Sequence, residues 1–394
     1  MLDLVYKRSE KMNTVSYKKC KCFKRCGGCQ LDMPYKDQIK WKQDKVERML
    51  SAFAKVEQII PMDNPYYYRN KVQTVFKRIS RNEILSGVYQ SSSGNMVATN
   101  DCYIENKKAQ RIVTTFKQLM KSFKIMPYDN QSGRGLIRHL LIRTGYHTGE
   151  IMLCIVTATA VIPSKNQFVN AIIKKCPEIT TIVQNVCNNP MPLTLGKQEH
   201  ILYGKGYIED IICCCRFRIS SQSFYQVNPV QTEKLYSLAI KNAQLKKSDV
   251  LIDAYCGTGT IGIICASHVN KVIGAELNKY ACKDAVYNAK VNKVKNIEFY
   301  NTDAGRFMEE YSKQDGKADA VIMDPPRAGA DRRFLASLTK LSPERIVYIS
   351  CKIETLARDL KILKKSGYKA ISIQPVDMFP HTTGIETVVV MKRR

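Results

Sequence analysis

A chain of 394 residues, 44% of them apolar, is long enough to bury the cores of two or three domains. No run approaches the ~20 apolar residues of a membrane-spanning helix, and the opening MLDLVYKRSEKMN lacks a leader's apolar segment, so a cytoplasmic protein outside the membrane is expected. The 62 Lys and Arg against 35 Asp and Glu leave a net charge of +27, with thirteen of the basic residues in the first 48, which favours a polyanionic partner, nucleic acid over membrane.

In chain order, CKCFKRCGGCQLDMPYKDQIKWKQDKVERML comes first, basic and cysteine-rich. From about Tyr35 to Phe53, Ile39, Val46, Met49 and Leu50 suit one helical face. YRNKVQTVFKRIS, EILSGVYQ, GLIRHLLIRTG and IMLCIVTAT then read as strands of a mixed domain with an antiparallel sheet, interrupted by a helix near residues 103–124. Cys213, Cys214 and Cys215 read as alternating positions of a further strand, used for packing. After SQSFYQVNPVQTEKLYSLAIKNA, apolar strand, glycine loop and helix alternate through VLIDAYCGTGTIGIICA, KVIGAELN, IEFYNTDA, ADAVIMDPP and RIVYISC, the pattern of a parallel, doubly wound sheet. The expected α/β organisation is an N-terminal segment over 1–60, a central, mainly β domain over 61–220 and a Rossmann-like domain over 221–394. Fifteen cysteines, an odd count, argue for free thiols, some metal-bound or catalytic, over a disulfide framework.

LIDAYCGTGTIGI is a strand, a loop with Gly257, Gly259 and Gly262, and a helix whose N-terminus is expected beneath a ligand. Alone, G-x-G-x-x-G does not distinguish a dinucleotide from another adenosine ligand. The next strand ends in Glu276, a carboxylate suited to the two hydroxyls of a ribose. Asp324 ends the fourth strand, its backbone restricted by two prolines. These three features resemble a class I S-adenosylmethionine-dependent methyltransferase.

The fifth strand ends at Cys351. An exocyclic amine attacks a methyl sulfonium without help, whereas carbon 5 of a pyrimidine is a poor nucleophile. A thiolate adding to carbon 6 turns carbon 5 into an enolate carbon, and a base must later remove its proton. Glu386, in DMFPHTTGIETVVVMK beside His381, is the candidate base. With it the chain closely resembles the RNA uracil-5-methyltransferase family. SFYQVN, DAYCGTGTIG, MDPPRAGA, VYISCKIETLARD and FPHTTGIE fall in family order over almost the whole chain. The resemblance implies Cys351 as nucleophile, Glu386 as proton acceptor, and Gln226, Tyr255, Thr260, Glu276, Asp303 and Asp324 as the S-adenosylmethionine site, with Gln226 and Asp324 also near the uracil. One departure is Gly384, where the family usually has a second His.

Cys20, Cys26 and Cys29 have the spacing C-x5-C-x2-C, and Cys102 follows far downstream. The spacing alone suits zinc about as readily as iron–sulfur. The resemblance implies a 4Fe–4S cluster on these four, as in family members acting on 23S rRNA; Cys22 has no counterpart there. Many members also carry an N-terminal RNA-binding barrel, which is expected to be absent here, with 19 residues before Cys20. RNA contacts are therefore expected from the basic N-terminal segment and the central domain: Lys71, Lys77, Arg78 and Arg81, among Tyr66, Tyr67, Tyr68 and Phe76. The expected protein is a monomeric RNA m5U methyltransferase with no obligate protein partner. The alternatives are RNA cytosine-5 methylation, tRNA in place of rRNA, and an iron–sulfur RNA-binding or assembly factor without chemistry.

Overall fold

The structure, a computed structural model, describes residues 16–80, 83–90, 93–189, 191 and 193–394; Arg81 lies outside them. Among the described residues the chain forms two seven-stranded sheets and one two-stranded hairpin. None of the described helices is long and apolar enough to cross a membrane.

Helix α1 (Tyr35–Leu50) buries Gln38, Lys42, Val46 and Leu50, a stripe of every fourth residue. Ile39 and Met49 only flank it, because its N-terminal half faces a polar loop described below. The central region then runs β1 (Lys71–Ser80), β2 (Glu83–Tyr89), β3 (Met96–Ala98), α2 (Lys107–Ser122), β4 (Ile137–Thr144), β5 (Ile151–Thr157), α3 (Lys165–Lys175), β6 (Thr181–Val186) and β7 (Gln198–Tyr203). The sheet order is β3-β2-β1-β4-β5-β6-β7. Neighbours are antiparallel except β5 and β6, whose parallel pairing requires the crossover that α3 supplies. Both helices pack on one apolar core with Val72, Leu140 and Ile155.

The hairpin β8 (Ile208–Ile212) and β9 (Cys215–Ile219) corrects the reading of the three cysteines. Cys213 and Cys214 form its two-residue turn, with φ 49° and 65°, and only Cys215 is in a strand. Positive φ at both central positions is what a tight hairpin demands, and no Asn-Gly signal marks it. Helix α4 (Pro229–Ala243) follows, its start set by the Asn228 side-chain cap and Pro229 in the first turn.

The C-terminal region alternates β10 (Val250–Ala254), α5 (Thr260–Cys265), β11 (Lys271–Ala275), α6 (Lys279–Val291), β12 (Ile297–Tyr300), α7 (Ala304–Lys313), β13 (Ala320–Met323), α8 (Arg332–Leu341), β14 (Arg345–Ser350) and α9 (Ile353–Lys365), then β15 (Tyr368–Val376) and β16 (Glu386–Arg393). The order is β12-β11-β10-β13-β14-β16-β15. The first five strands are parallel; β16 enters antiparallel between β14 and β15. The strand order reverses at β10, flanked by β11 and β13, so ligands are expected off its carboxyl end. Apolar cores cover both faces. One of them takes in Val46 and Leu50 of α1, and Val56 and Ile60 bridge to β15, so residues 46–60 share the C-terminal region's core.

Candidate active site

The carboxyl ends of β10, β11, β13 and β14 and the amino end of β16 meet at one edge of the sheet, bringing Tyr255, Glu276, Asp324, Cys351 and Glu386 there. The β10–α5 loop is built for backbone exposure. Gly257 has φ 56° with nothing within 4 Å of where a Cβ would stand, and at Gly259 (φ 77°) a Cβ would lie 2.9 Å from Phe299. The loop is pinned below by Asp253, whose Oδ2 accepts from the Gly262 N–H at 2.8 Å. Glu276 holds its side, accepting from the N–H groups of Gly257 (2.9 Å) and Asn278 (2.6 Å). Helix α5 is only six residues long, so the expected helix end beneath the ligand is little more than a turn.

Gln226, Tyr255, Thr260 and Asp324 line one cavity of about 40 Å³ with the glycine loop. Tyr236 of α4 joins them, hydrogen-bonded to Gln226. The open backbone at Gly257 and the carboxylate beside it fit an adenosine ligand. Asp303 is set apart from this lining: it caps α7 through the Arg306 N–H (3.0 Å) and pairs with Arg333 at 2.7 Å. The loop carrying Gln226 is tied to the central domain. Buried Arg143 donates to the carbonyls of Ser221 and Ser223, and Asn70 donates to the Gln226 carbonyl at 3.1 Å.

Cys351 and Glu386 face each other electrostatically across β14 and β16. Burial pushes the Cys351 thiol up to about 11, helped by Glu386 and Asp324 and opposed by Arg327. Burial, then Asp324, holds Glu386 well above the carboxylate range, again opposed by Arg327. Asp324 is raised by burial. Glu386 is 3% exposed, and its Oε2 is buried without a hydrogen-bond partner. A buried carboxyl oxygen without a partner calls for an explanation, and a catalytic role is one. Tyr236 and Arg327 carry no sequence signal of their own beyond Arg327 falling within DPPRAGA.

His381 lies differently from its sequence placement beside Glu386. Its ring stacks on Tyr66 (4.9 Å, 26°), its Nδ1 meets Gln38 Nε2 at 3.1 Å, and it lines a cavity with the cysteines. At Gly384 a Cβ would stand 3.0 Å from the Phe379 ring, so a larger residue there requires the ring to shift. The loop before Glu386 is gripped by the N-terminal region. Lys42 pairs with Asp377 at 2.5 Å, both side chains fully buried; Tyr35 donates to Asp377 (2.7 Å), Lys42 donates to the Phe379 carbonyl (3.0 Å), and the Gln30 and Leu31 N–H groups donate to the His381 carbonyl.

Cys20, Cys26, Cys29 and Cys102 line one cavity of about 480 Å³, together with Cys22 and His381. Burial pushes Cys29 and Cys102 up to about 12, and charge on Cys26 and Cys20 raises Cys29 further. Among the described residues, no group of three or more His, Cys, Asp or Glu side chains is arranged to hold a metal ion. The four thiols share that cavity without being gathered into a metal-binding group. His381 Nε2, buried and unpaired, lies in the same wall. The expected RNA contacts separate. Tyr66, Tyr68 and Phe76 are core residues, at 6%, 8% and 5% exposure. Lys77 and Arg78 are exposed, and Tyr67 and Lys71 are half-buried; burial pushes Lys71 down to about 8.

The sheet order, glycine loop and strand-end carboxylates define a class I methyltransferase fold. The model of the tRNA (uracil-5-)-methyltransferase family matches residues 194–394. An uncharacterized RNA methyltransferase of Clostridium tetani is 38% identical over 377 residues, covering 94% of this chain and 82% of its own. Another, of Clostridium acetobutylicum, is 39% identical over 404 residues, covering 100% and 86%. The crystal structure of the Pyrococcus abyssi tRNA (uracil-54, C5)-methyltransferase with S-adenosyl-L-homocysteine superposes with a TM-score of 0.76 at 27% identity, covering 91% of this chain and 84% of that one. The chain belongs to the tRNA (uracil-5-)-methyltransferase family, whose members are S-adenosylmethionine-dependent RNA methyltransferases.

Proposed function

We propose that this protein methylates carbon 5 of a uridine in RNA, first of all 23S rRNA, through a covalent bond between Cys351 and carbon 6. The observation carrying this reading is a strand-end thiol beside a buried carboxyl with an unpaired oxygen, next to the cavity at Gln226 and Asp324. The target base is flipped out of its RNA, since neither carbon is reachable within a stack. Burial favours the protonated thiol at Cys351, so as the base docks its proton passes to a neighbouring carboxylate and the thiolate adds to carbon 6. Addition places charge on the uracil carbonyl oxygen. The carboxyl that took the Cys351 proton shares it with that oxygen and recovers it when carbon 5 accepts the methyl group; once neutral it no longer raises the other carboxyl, which is left ionised. Asp324 suits the first task, since it lines the cavity with Gln226. When bound by Gln226, Tyr255, Thr260 and Glu276, with Asp303 at the margin, S-adenosylmethionine supplies the methyl group that carbon 5 accepts. Glu386 then takes the carbon 5 proton, the electron pair re-forms the ring double bond, and Cys351 leaves as thiolate.

The four cysteines are proposed to hold a 4Fe–4S cluster, which would tie residues 20–29 to Cys102. Their shared cavity supports this, and by family resemblance it favours rRNA. A tRNA substrate is the second reading, favoured by the structural relative's action on uracil-54 of tRNA. Mapping m5U in rRNA and tRNA from cells with and without the gene tests both. Loss confined to 23S rRNA supports the first, loss confined to tRNA supports the second, and no m5U lost in either overturns the proposal.

A further inference from the structure

A second cleft, of about 540 Å³, opens between the central domain and the start of α4. It is of a size that takes a small organic ligand. Its walls include Tyr67, Lys107, Lys108, Tyr146 and Pro229. Tyr146 is 56% exposed, on the β4–β5 turn that Asp210 fixes by accepting its N–H at 2.9 Å. Tyr67 has φ 57°, a left-handed conformation that is costly for an aromatic residue and is retained mainly where the surroundings or a function demand it. Lys107 Nζ lies 4.4 Å from the Tyr67 ring centroid. Among the described residues, Asp63 is the sole acid in the lining, and it pairs with Lys234 at 3.5 Å. The cleft therefore offers aromatic faces beside the ammonium groups of Lys107 and Lys108.

Its place in the fold indicates the occupant. Phe224, Tyr225 and Gln226 line the cavity at Asp324; Asn228, Pro229 and Val230, beginning two positions on, line this cleft. A strand delivering a uridine beside Gln226 brings its neighbouring nucleotides along this wall. We propose that the cleft is a second nucleotide subsite, which takes an unpaired base of the substrate RNA against Tyr67 and Tyr146 and its phosphate on Lys107 and Lys108. Base–aromatic stacking tolerates any base, while the lysines follow the backbone. The subsite rests on the reading of the protein as an RNA uridine methyltransferase and adds a second point of grip on the same strand.

The test uses the full-length protein with S-adenosylmethionine and total RNA from cells lacking the gene. Ultraviolet cross-linking followed by peptide mass spectrometry is expected to place a nucleotide on the peptide beginning at Thr144, which carries Tyr146. Tyr146→Ala should raise the KM for RNA about tenfold, with kcat and the KM for S-adenosylmethionine retained; Tyr146→Phe should restore the wild-type KM. Lys108→Ala should reduce the salt slope of RNA affinity by about one. A wild-type KM in Tyr146→Ala with cross-links only on other peptides overturns the subsite while leaving uridine methylation standing. A wild-type protein that cross-links at Tyr146 but methylates no RNA instead overturns the proposed reaction.

Discussion

Cys351 and Glu386 are neighbours because Ser350 pairs with Thr387 in the antiparallel pair of β14 and β16, and one step further along that register sets the thiol opposite the carboxyl. The sheet's single reversal of direction makes this meeting possible. A parallel last strand would carry its first residue to the opposite edge. Because the pairing is backbone to backbone, the two groups keep their relation without any hydrogen bond between their side chains.

The charge around that thiol predicts its chemistry in the free protein. With burial and two carboxyls holding Cys351 up to about 11, its alkylation by iodoacetamide, followed by peptide mass spectrometry, should be slow at pH 7 and rise towards pH 11. Removing a negative neighbour favours the thiolate, so Glu386→Gln should move the midpoint down. Removing the positive neighbour should move it up in Arg327→Ala. A midpoint unmoved by either change contradicts the electrostatic account.

Glu276 holds the glycine loop through the Gly257 N–H and is proposed to hold the ribose of S-adenosylmethionine. Glu276→Ala should weaken S-adenosylmethionine binding at least about tenfold, the cost of losing hydrogen bonds to a charged acceptor. Calorimetry that finds wild-type affinity in a folded variant removes Glu276 from the site.

Lys42 and Asp377 form a fully buried pair under the loop that leads to Glu386. Lys42→Met strands the Asp377 charge with only the Tyr35 hydroxyl and should cost about 3–5 kcal/mol of stability. Denaturant unfolding should show the midpoint falling sharply, and the double variant Lys42→Met/Asp377→Leu should recover much of it. Equal losses in single and double variants would show that the pair is not what stabilises the loop.

Protein prepared without oxygen should contain iron and sulfide. Cys102→Ser should abolish both, whereas Cys22→Ser, at a position whose thiol contacts the Ala98 carbonyl at 3.5 Å, should retain them. Stoichiometric zinc without iron in the wild-type protein would contradict a cluster.

The strand-edge positions of the glycine loop, Asp324, Cys351 and Glu386 were legible in the sequence because each lies where an apolar run starts or stops. Contacts between distant segments were not. Lys42 and Asp377 are 335 positions apart, and nothing in either neighbourhood announces a buried pair; a lysine on an amphipathic helix reads as solvated. His381 stands beside Glu386 in sequence, yet the chain turns between them and delivers the ring to the cysteine cavity. The aromatic residues Tyr66, Tyr68 and Phe76 lie among basic residues, and sequence alone does not fix which side of the sheet each takes. Lys107, Lys108 and Tyr146 drew no attention because the cleft joining them exists only after α2, the β4–β5 turn and α4 have come together.

The central claim is that Cys351 opens the reaction and Glu386 closes it, and Glu386→Gln tests it most directly. Incubated with S-adenosylmethionine and RNA from cells lacking the gene, this variant should add to the uracil and transfer the methyl group, then stall for want of a base. The methylated RNA should remain attached as a slow-migrating band that survives denaturant, and Cys351→Ala should form neither band nor product. A Glu386→Gln protein that releases m5U at the wild-type rate, with no attached RNA, would contradict the account.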